Sequence, residues 1–223
     1  MIRVALPAGD VEVSEAVDAA AEPWAVLALA HGAGAGMAHP FLTGFAAELA
    51  ANGVTTLRFT FPYLEAGRRM PGPAAHAVST WRAVAARAVE LSGGLPWFAA
   101  GKSYGGRMAS MAAAEGVIDP AGLVYAGYPL HPPGKPEKPR IAHLPGISAP
   151  QLFLAGTADP FLQPLEQFTD AVAGCMDATV SWTEGGGHSF EVKGDRRPPA
   201  AVGAGIAASA VPWLRRTAQR PAA

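Results

Sequence analysis

The sequence predicts an α/β fold, a doubly wound and mostly parallel sheet with helices on both faces. Three observations predict it. Short apolar runs alternate along the chain with longer segments of helical periodicity, the pattern of successive βαβ units. Several of those runs, residues 24–30 above all, carry no polar alternation, as strands buried on both faces of a parallel sheet require. Half of the 223 residues are hydrophobic and only 16% are charged, below the roughly 25% of an ordinary globular chain, so much of the chain is packed rather than solvated. A chain of this length is expected to form one domain over residues 1–223, with a core that needs no staples.

The elements follow in order. Residues 2–6 and 11–17 read as an antiparallel hairpin at one edge of the sheet, folded about the turn at 7–10. A strand at 24–30 leads to a helix at 41–52, stopped by Asn52-Gly53. Residues 54–61 are the next strand. A helix at 74–91 ends at Gly93-Gly94, a strand follows at 96–100, and a helix at 104–115 is closed by Gly116. Two more apolar strands at 123–126 and 152–155, a helix at 165–173, a strand at 179–183 and a helix at 200–216 complete the pattern. The proline-rich stretch 128–150 is too short for a domain and reads as an ordered loop beside the site.

Charge and cysteine content narrow the function. With 17 basic and 18 acidic residues the net charge is −1, and no block of Lys and Arg supplies the footprint of a nucleic-acid or anionic-membrane binder. A lone cysteine, Cys175, forms neither an internal disulfide nor a metal site and reads as inert packing. Asp10 and Glu12 come too early for a signal peptide, and the charge-free stretch 23–47 carries His31, His39, Pro40 and several glycines, which a membrane span excludes. The expectation is a soluble, cytoplasmic protein with a small-molecule substrate, no nucleic-acid or membrane partner, and an oligomeric state that the sequence leaves open.

Chemistry in such sheets gathers at the carboxyl ends of the strands. After the strand at 96–100 stands Gly101-Lys102-Ser103-Tyr104-Gly105, then a helix: a G-x-S-x-G pattern, whose strained turn exposes the serine hydroxyl. The same Gly-Lys-Ser could end a phosphate-binding loop, but that loop needs a glycine where this chain has Pro96, and no apolar strand ends in a magnesium-binding Asp. After residues 24–30 comes His31-Gly32-Ala33-Gly34-Ala35-Gly36-Met37. A dinucleotide fingerprint fails there, because neither Met37 nor His39 is the glycine required, and the next strand supplies no ribose-binding acid. A turn of small residues at this point suits an oxyanion hole, with backbone donors at Ala33, helped by Gly34, and at Tyr104. His31 is expected to orient that turn.

A serine hydroxyl is a poor nucleophile at neutral pH and needs a base within hydrogen-bond reach and a carboxylate to hold that base. Asp159 follows the strand at 152–155, and His188 follows the strand at 179–183 after Gly185-Gly186-Gly187. Taken singly, Ser103 could be a turn serine, Asp159 a helix cap and His188 a loop histidine. Their order and strand-end positions together favour the catalytic reading. Asp119, Asp170, Asp177 and Asp195 fall before, within or beyond the wrong elements, and His76, His131 and His143 read as surface or pocket residues. Met37, Arg68 and Arg69 are the candidates for contacting substrate; the arginines could grip an anionic group, though paired loop arginines also read as simply solvated. No residues point to a metal or a cofactor.

At HGAGAGM, FPYLEAGRR, GKSYGGRM, GTADPF and GGGHSF the chain resembles the α/β-hydrolase superfamily over nearly its whole length. More narrowly it resembles a small, lid-free, dienelactone-hydrolase-like group with testis-expressed-30-like and NSL-complex-subunit-3-like members. The resemblance implies an α/β-hydrolase fold without a large lid, Ser103 as nucleophile, Asp159 as acid and His188 as base. Dienelactone hydrolases proper use cysteine where this chain has Ser103, and some relatives serve as parts of assemblies. The expected activity is hydrolysis of a carboxylic ester or related small acyl compound through an acyl-enzyme, without a cofactor. The alternatives are a hydrolase-fold interaction protein with little or no turnover, or an acyltransferase using the same three residues.

Overall fold

Seven strands form the main sheet of the structure, a computed structural model that describes residues 1–220. In chain order they are β3 (Glu15–Asp18), β4 (Ala25–Ala30), β5 (Val54–Phe59), β6 (Trp97–Lys102), β7 (Leu123–Ala126), β8 (Gln151–Gly156) and β9 (Ala178–Thr183). Their spatial order is β3-β5-β4-β6-β7-β8-β9, and every neighbour is parallel except β3, which runs antiparallel to β5. The chain moves outward from β4 in both directions, so the carboxyl ends of β4 and β6 flank the switch point where such sheets hold their sites. Every residue of β4, β5 and β8 is buried, which accounts for the continuously apolar run of β4, while β5 also buries Thr55, Thr56 and Arg58.

The helices are α1 (Pro40–Ala51), α2 (Pro62–Glu65), α3 (Ala74–Ser92), α4 (Tyr104–Ala114), α5 (Leu165–Ala173) and α6 (Pro199–Ala218). One face of the sheet is covered by α1 and α6, through Phe41, Phe45 and Leu49 against Val202, Ile206 and Leu214. These two helices touch backbone to backbone: a Cβ on Gly44 would sit 2.0 Å from the Ala200 carbonyl oxygen, and one on Gly203 would sit 2.0 Å from that of Phe41. The other face is covered by α3, α4 and α5, through Trp81, Val84, Met108, Ala109 and Phe168. Trp81 meets Phe59 edge to face at 5.1 Å, and Phe168 meets Phe153 at 5.7 Å.

The amino-terminal hairpin differs from the sequence reading. Its first strand, β1 (Ile2–Val4), pairs with β2 (Val11–Val13) in a separate two-stranded sheet, while β3 leaves to join the main sheet. The run 11–17 breaks at Ser14 because the Ser14 N–H donates to the Glu65 carboxylate at 2.7 Å rather than to a strand. Sequence periodicity also passes over α2 and the short 3-10 turn Leu144–Gly146, each too brief to show a period. No helix among the described residues is long and apolar enough to cross a membrane.

Candidate active site

Ser103 stands between β6 and α4 with φ 50° and ψ −114°. A non-glycine residue in this region carries strain on the order of 1–3 kcal/mol and persists only where its surroundings over-determine it. Here they do. The Ser103 N–H donates to the Ala126 carbonyl at 2.9 Å, and its own carbonyl accepts from the Arg107 N–H at 3.1 Å. The turn is tight enough that a Cβ on Gly101 would lie 2.3 Å from the Gly106 nitrogen, and one on Gly105 would lie 2.6 Å from the His31 carbonyl oxygen. Only glycine fits on either side, and the hydroxyl is left at the amino terminus of α4.

Asp159 and His188 arrive from the ends of β8 and β9. The Asp159 side chain is fully buried, with Oδ1 accepting from the Phe161 N–H at 2.8 Å and Oδ2 lying 2.8 Å from His188 Nδ1. His188 Nε2 lies 2.9 Å from Ser103 Oγ. A carboxylate only accepts, so Nδ1 carries the proton and Nε2 is free to accept the serine hydroxyl. The imidazole also stacks on Phe161, with ring centroids 4.0 Å apart. Burial, joined by the charge of Lys102, lowers the His188 pKa below its ordinary value, while the bond to Asp159 raises it.

The histidine loop is held at two points. Lys102 Nζ donates to the His188 carbonyl at 2.8 Å, and Phe190, buried at φ 65°, stacks on Phe41 at 5.9 Å. Burial lowers the Lys102 pKa to about 8, against the opposing pull of Asp159 and Glu191. His31 is buried, with Nε2 accepting from the Phe61 N–H at 3.0 Å. Its Nδ1–H therefore donates to the Gly32 carbonyl at 2.8 Å, tying the glycine-rich turn to the end of β5.

These groups open on a cleft of about 870 Å³, lined by Ala33, Ser103, Tyr104, Phe161 and His188 among others. A Cβ on Gly32 would lie 3.7 Å from that of Ser103, so the turn after β4 runs directly beside the serine. Gly34 sits in the same turn at φ 75° but does not line the cleft. Met37, Arg68 and Arg69 do not line it either. The Met37 carbonyl accepts from Arg58 at 2.6 Å, and the segment 62–73 presents Met70 and Pro71 to the cleft instead of its arginines. The cations that do reach it, Lys102, Arg107, Arg140 and Arg197, escaped the sequence reading. Arg107 was the most legible of them, standing one helical turn beyond Ser103. Among the described residues no three His, Cys, Asp or Glu side chains cluster as a metal site would.

A doubly wound sheet with a serine on a strand-to-helix elbow, facing a histidine from its last strand end, defines the α/β-hydrolase class. The chain belongs to the alpha/beta hydrolase domain family, which it matches over residues 23–200. Its fold is similar to that of a lid-free α/β serine hydrolase from Xanthomonas campestris, with a TM-score of 0.71 at 20% identity over 95% of this chain and 93% of that one. It is similar to a dienelactone hydrolase from Anabaena variabilis, with a TM-score of 0.71 at 19% identity over 96% and 95% of the two chains. A monoacylglycerol lipase from Paleococcus ferrophilus aligns with a TM-score of 0.69 at 18% identity over 93% of this chain and 100% of its own. Like the Xanthomonas protein, this chain has no large lid over the cleft among its described residues.

Proposed function

We propose that this protein is a serine hydrolase that cleaves a carboxylic ester or related small acyl compound through an acyl-enzyme. The observation that carries the reading is the unbroken chain Asp159–His188–Ser103, at 2.8 and 2.9 Å, opening on the cleft. His188 Nε2 takes the Ser103 proton as Oγ attacks the substrate carbonyl, and Asp159 stabilises the imidazolium without taking its proton. The carbonyl oxygen becomes an oxyanion facing the backbone N–H groups of Ala33 and Tyr104, with the amino terminus of α4 adding its partial positive charge. The tetrahedral adduct collapses, His188 protonates the departing alcohol, and the acyl group remains on Ser103. Water, deprotonated by the same imidazole, then releases the acid and restores the hydroxyl.

A fluorophosphonate probe tests this directly. The folded wild type labels covalently and hydrolyses short p-nitrophenyl esters, and Ser103→Ala does neither. Equal labelling of the two proteins excludes Ser103 as the nucleophile, and an absence of both labelling and turnover in the wild type leaves the interaction-protein reading. Acyl transfer is recognised by partition of the same acyl-enzyme to an added alcohol or amine.

A further inference from the structure

Two arginines in the cleft have no counter-charge. Arg107 lies on α4 one turn beyond Ser103, and Arg140 comes from the loop between β7 and β8. That loop is fixed where Arg140 leaves it, since the Arg140 N–H donates to the Leu130 carbonyl at 2.7 Å and its carbonyl accepts from the Tyr128 hydroxyl at 3.1 Å. Both side chains line the cleft beside Ser103. Among the described residues neither guanidinium makes an ion pair or a side-chain hydrogen bond, and the Arg107 Nε–H is buried without a partner.

The other charged side chains lining the cleft are Lys102, Glu191 and Arg197. Arg197 pairs with Asp195 at 2.9 Å, and Lys102 donates to the His188 carbonyl with the charges of Asp159 and Glu191 close by. A buried, unused donor on a guanidinium is costly unless an acceptor arrives to meet it. Burial lowers the Arg107 pKa and the neighbouring positive charge of Arg140 lowers it further, while Tyr128 raises it. Two like charges facing one space are stabilised by an anion placed between them, and a guanidinium fork matches the two oxygens of a carboxylate.

From this geometry we infer that Arg107 and Arg140 form the specificity site of the cleft, and that the preferred substrate is an ester carrying a free carboxylate a few bonds from the scissile carbonyl. The inference rests on the serine-hydrolase reading for the word ester, but the carboxylate site can be tested without turnover. Two matched pairs of esters place the charge on either side of the bond: 4-acetoxybenzoate with its methyl ester, and mono-4-nitrophenyl adipate with its methyl ester. For at least one pair the wild type shows a kcat/KM about tenfold or more higher for the anion, as expected for a charge-assisted bond, carried mainly by KM. The anion-to-neutral ratio falls towards one in Arg107→Gln and in Arg140→Gln, the latter on the surface loop where folding is not at stake.

The second arm uses Ser103→Ala and titrates it calorimetrically with monomethyl adipate and dimethyl adipate. The monoanion binds about tenfold or more tightly, and the difference disappears in Ser103→Ala/Arg140→Gln. Fluorophosphonate labelling with equal rates on charged and neutral esters and equal binding overturns the inference while the hydrolase reading stands. Selective binding of the monoanion without labelling overturns the hydrolase reading and supports the carboxylate site.

Discussion

At Asp159 the direction of one hydrogen bond sets the chemistry available to Ser103. Both carboxylate oxygens are engaged, one by the Phe161 N–H and one by His188. In Asp159→Asn the side-chain amide can turn its N–H₂ towards Nδ1, leaving the imidazole proton on Nε2, where it faces Ser103 and cannot accept from it. The expected result is a fall in kcat of about ten-thousandfold with little change in the circular dichroism spectrum. A loss of less than tenfold removes Asp159 from the mechanism. Lys102 acts through His188: its charge is among the causes that lower the imidazole pKa below 6.5, and its ammonium holds the loop carbonyl. Lys102→Met should therefore reduce kcat and move the acid limb of kcat/KM, measured on a neutral ester, to higher pH. A reduced kcat with an unmoved acid limb would assign Lys102 to loop anchoring alone. Sequence brought Ser103, Asp159 and His188 into view because strand-end positions and glycine-rich turns mark them. Lys102 was hidden because its contact is with a loop 86 residues away.

Among the elements, the crossing of α1 and α6 shows why local preference misjudges a position. Alanine ordinarily favours a helix over glycine by about 1 kcal/mol, so Gly44→Ala would stabilise a solvent-facing α1. Here the new methyl group meets the backbone of Ala200 at 2.0 Å, and overpacking of this kind costs about 1–3 kcal/mol or more. Gly44→Ala should lower the urea midpoint at an unchanged m-value, whereas an increase would mean that α6 shifts freely. The same crossing positions the site, because Phe41 on α1 stacks on Phe190 of the histidine loop. Element type was readable wherever a run was long enough to show its period. The break at Ser14 was not, because it depends on a carboxylate 51 residues further along the chain. Nor could the sequence tell which arginines face the cleft. It placed Arg68 and Arg69 at the right end of the sheet, but which side of the loop they occupy depends on how α2 folds.

For the molecule as a whole, the low charge content that marks the sequence as densely packed has a consequence for its pH range. Three histidines, His31, His143 and His188, are held below the ordinary value of 6.5 chiefly by burial. His143, which meets the Ser110 hydroxyl at 2.7 Å and so joins the loop bearing Arg140 to α4, is lowered to about 4. A depressed histidine stays neutral in the fold but takes up a proton in the unfolded chain, so above pH 6.5 it contributes nothing to the pH dependence. As the pH falls from about 6.5 towards 4 the unfolded state binds more protons, and stability declines through that window. His143→Gln keeps a hydrogen-bonding group towards Ser110 and cannot titrate. The difference in melting temperature between pH 7 and pH 4.5 should therefore be smaller in His143→Gln than in the wild type, even if the variant starts from a lower value. Parallel curves would mean that His143 protonates equally in both states and that its burial does not govern the docking of the loop.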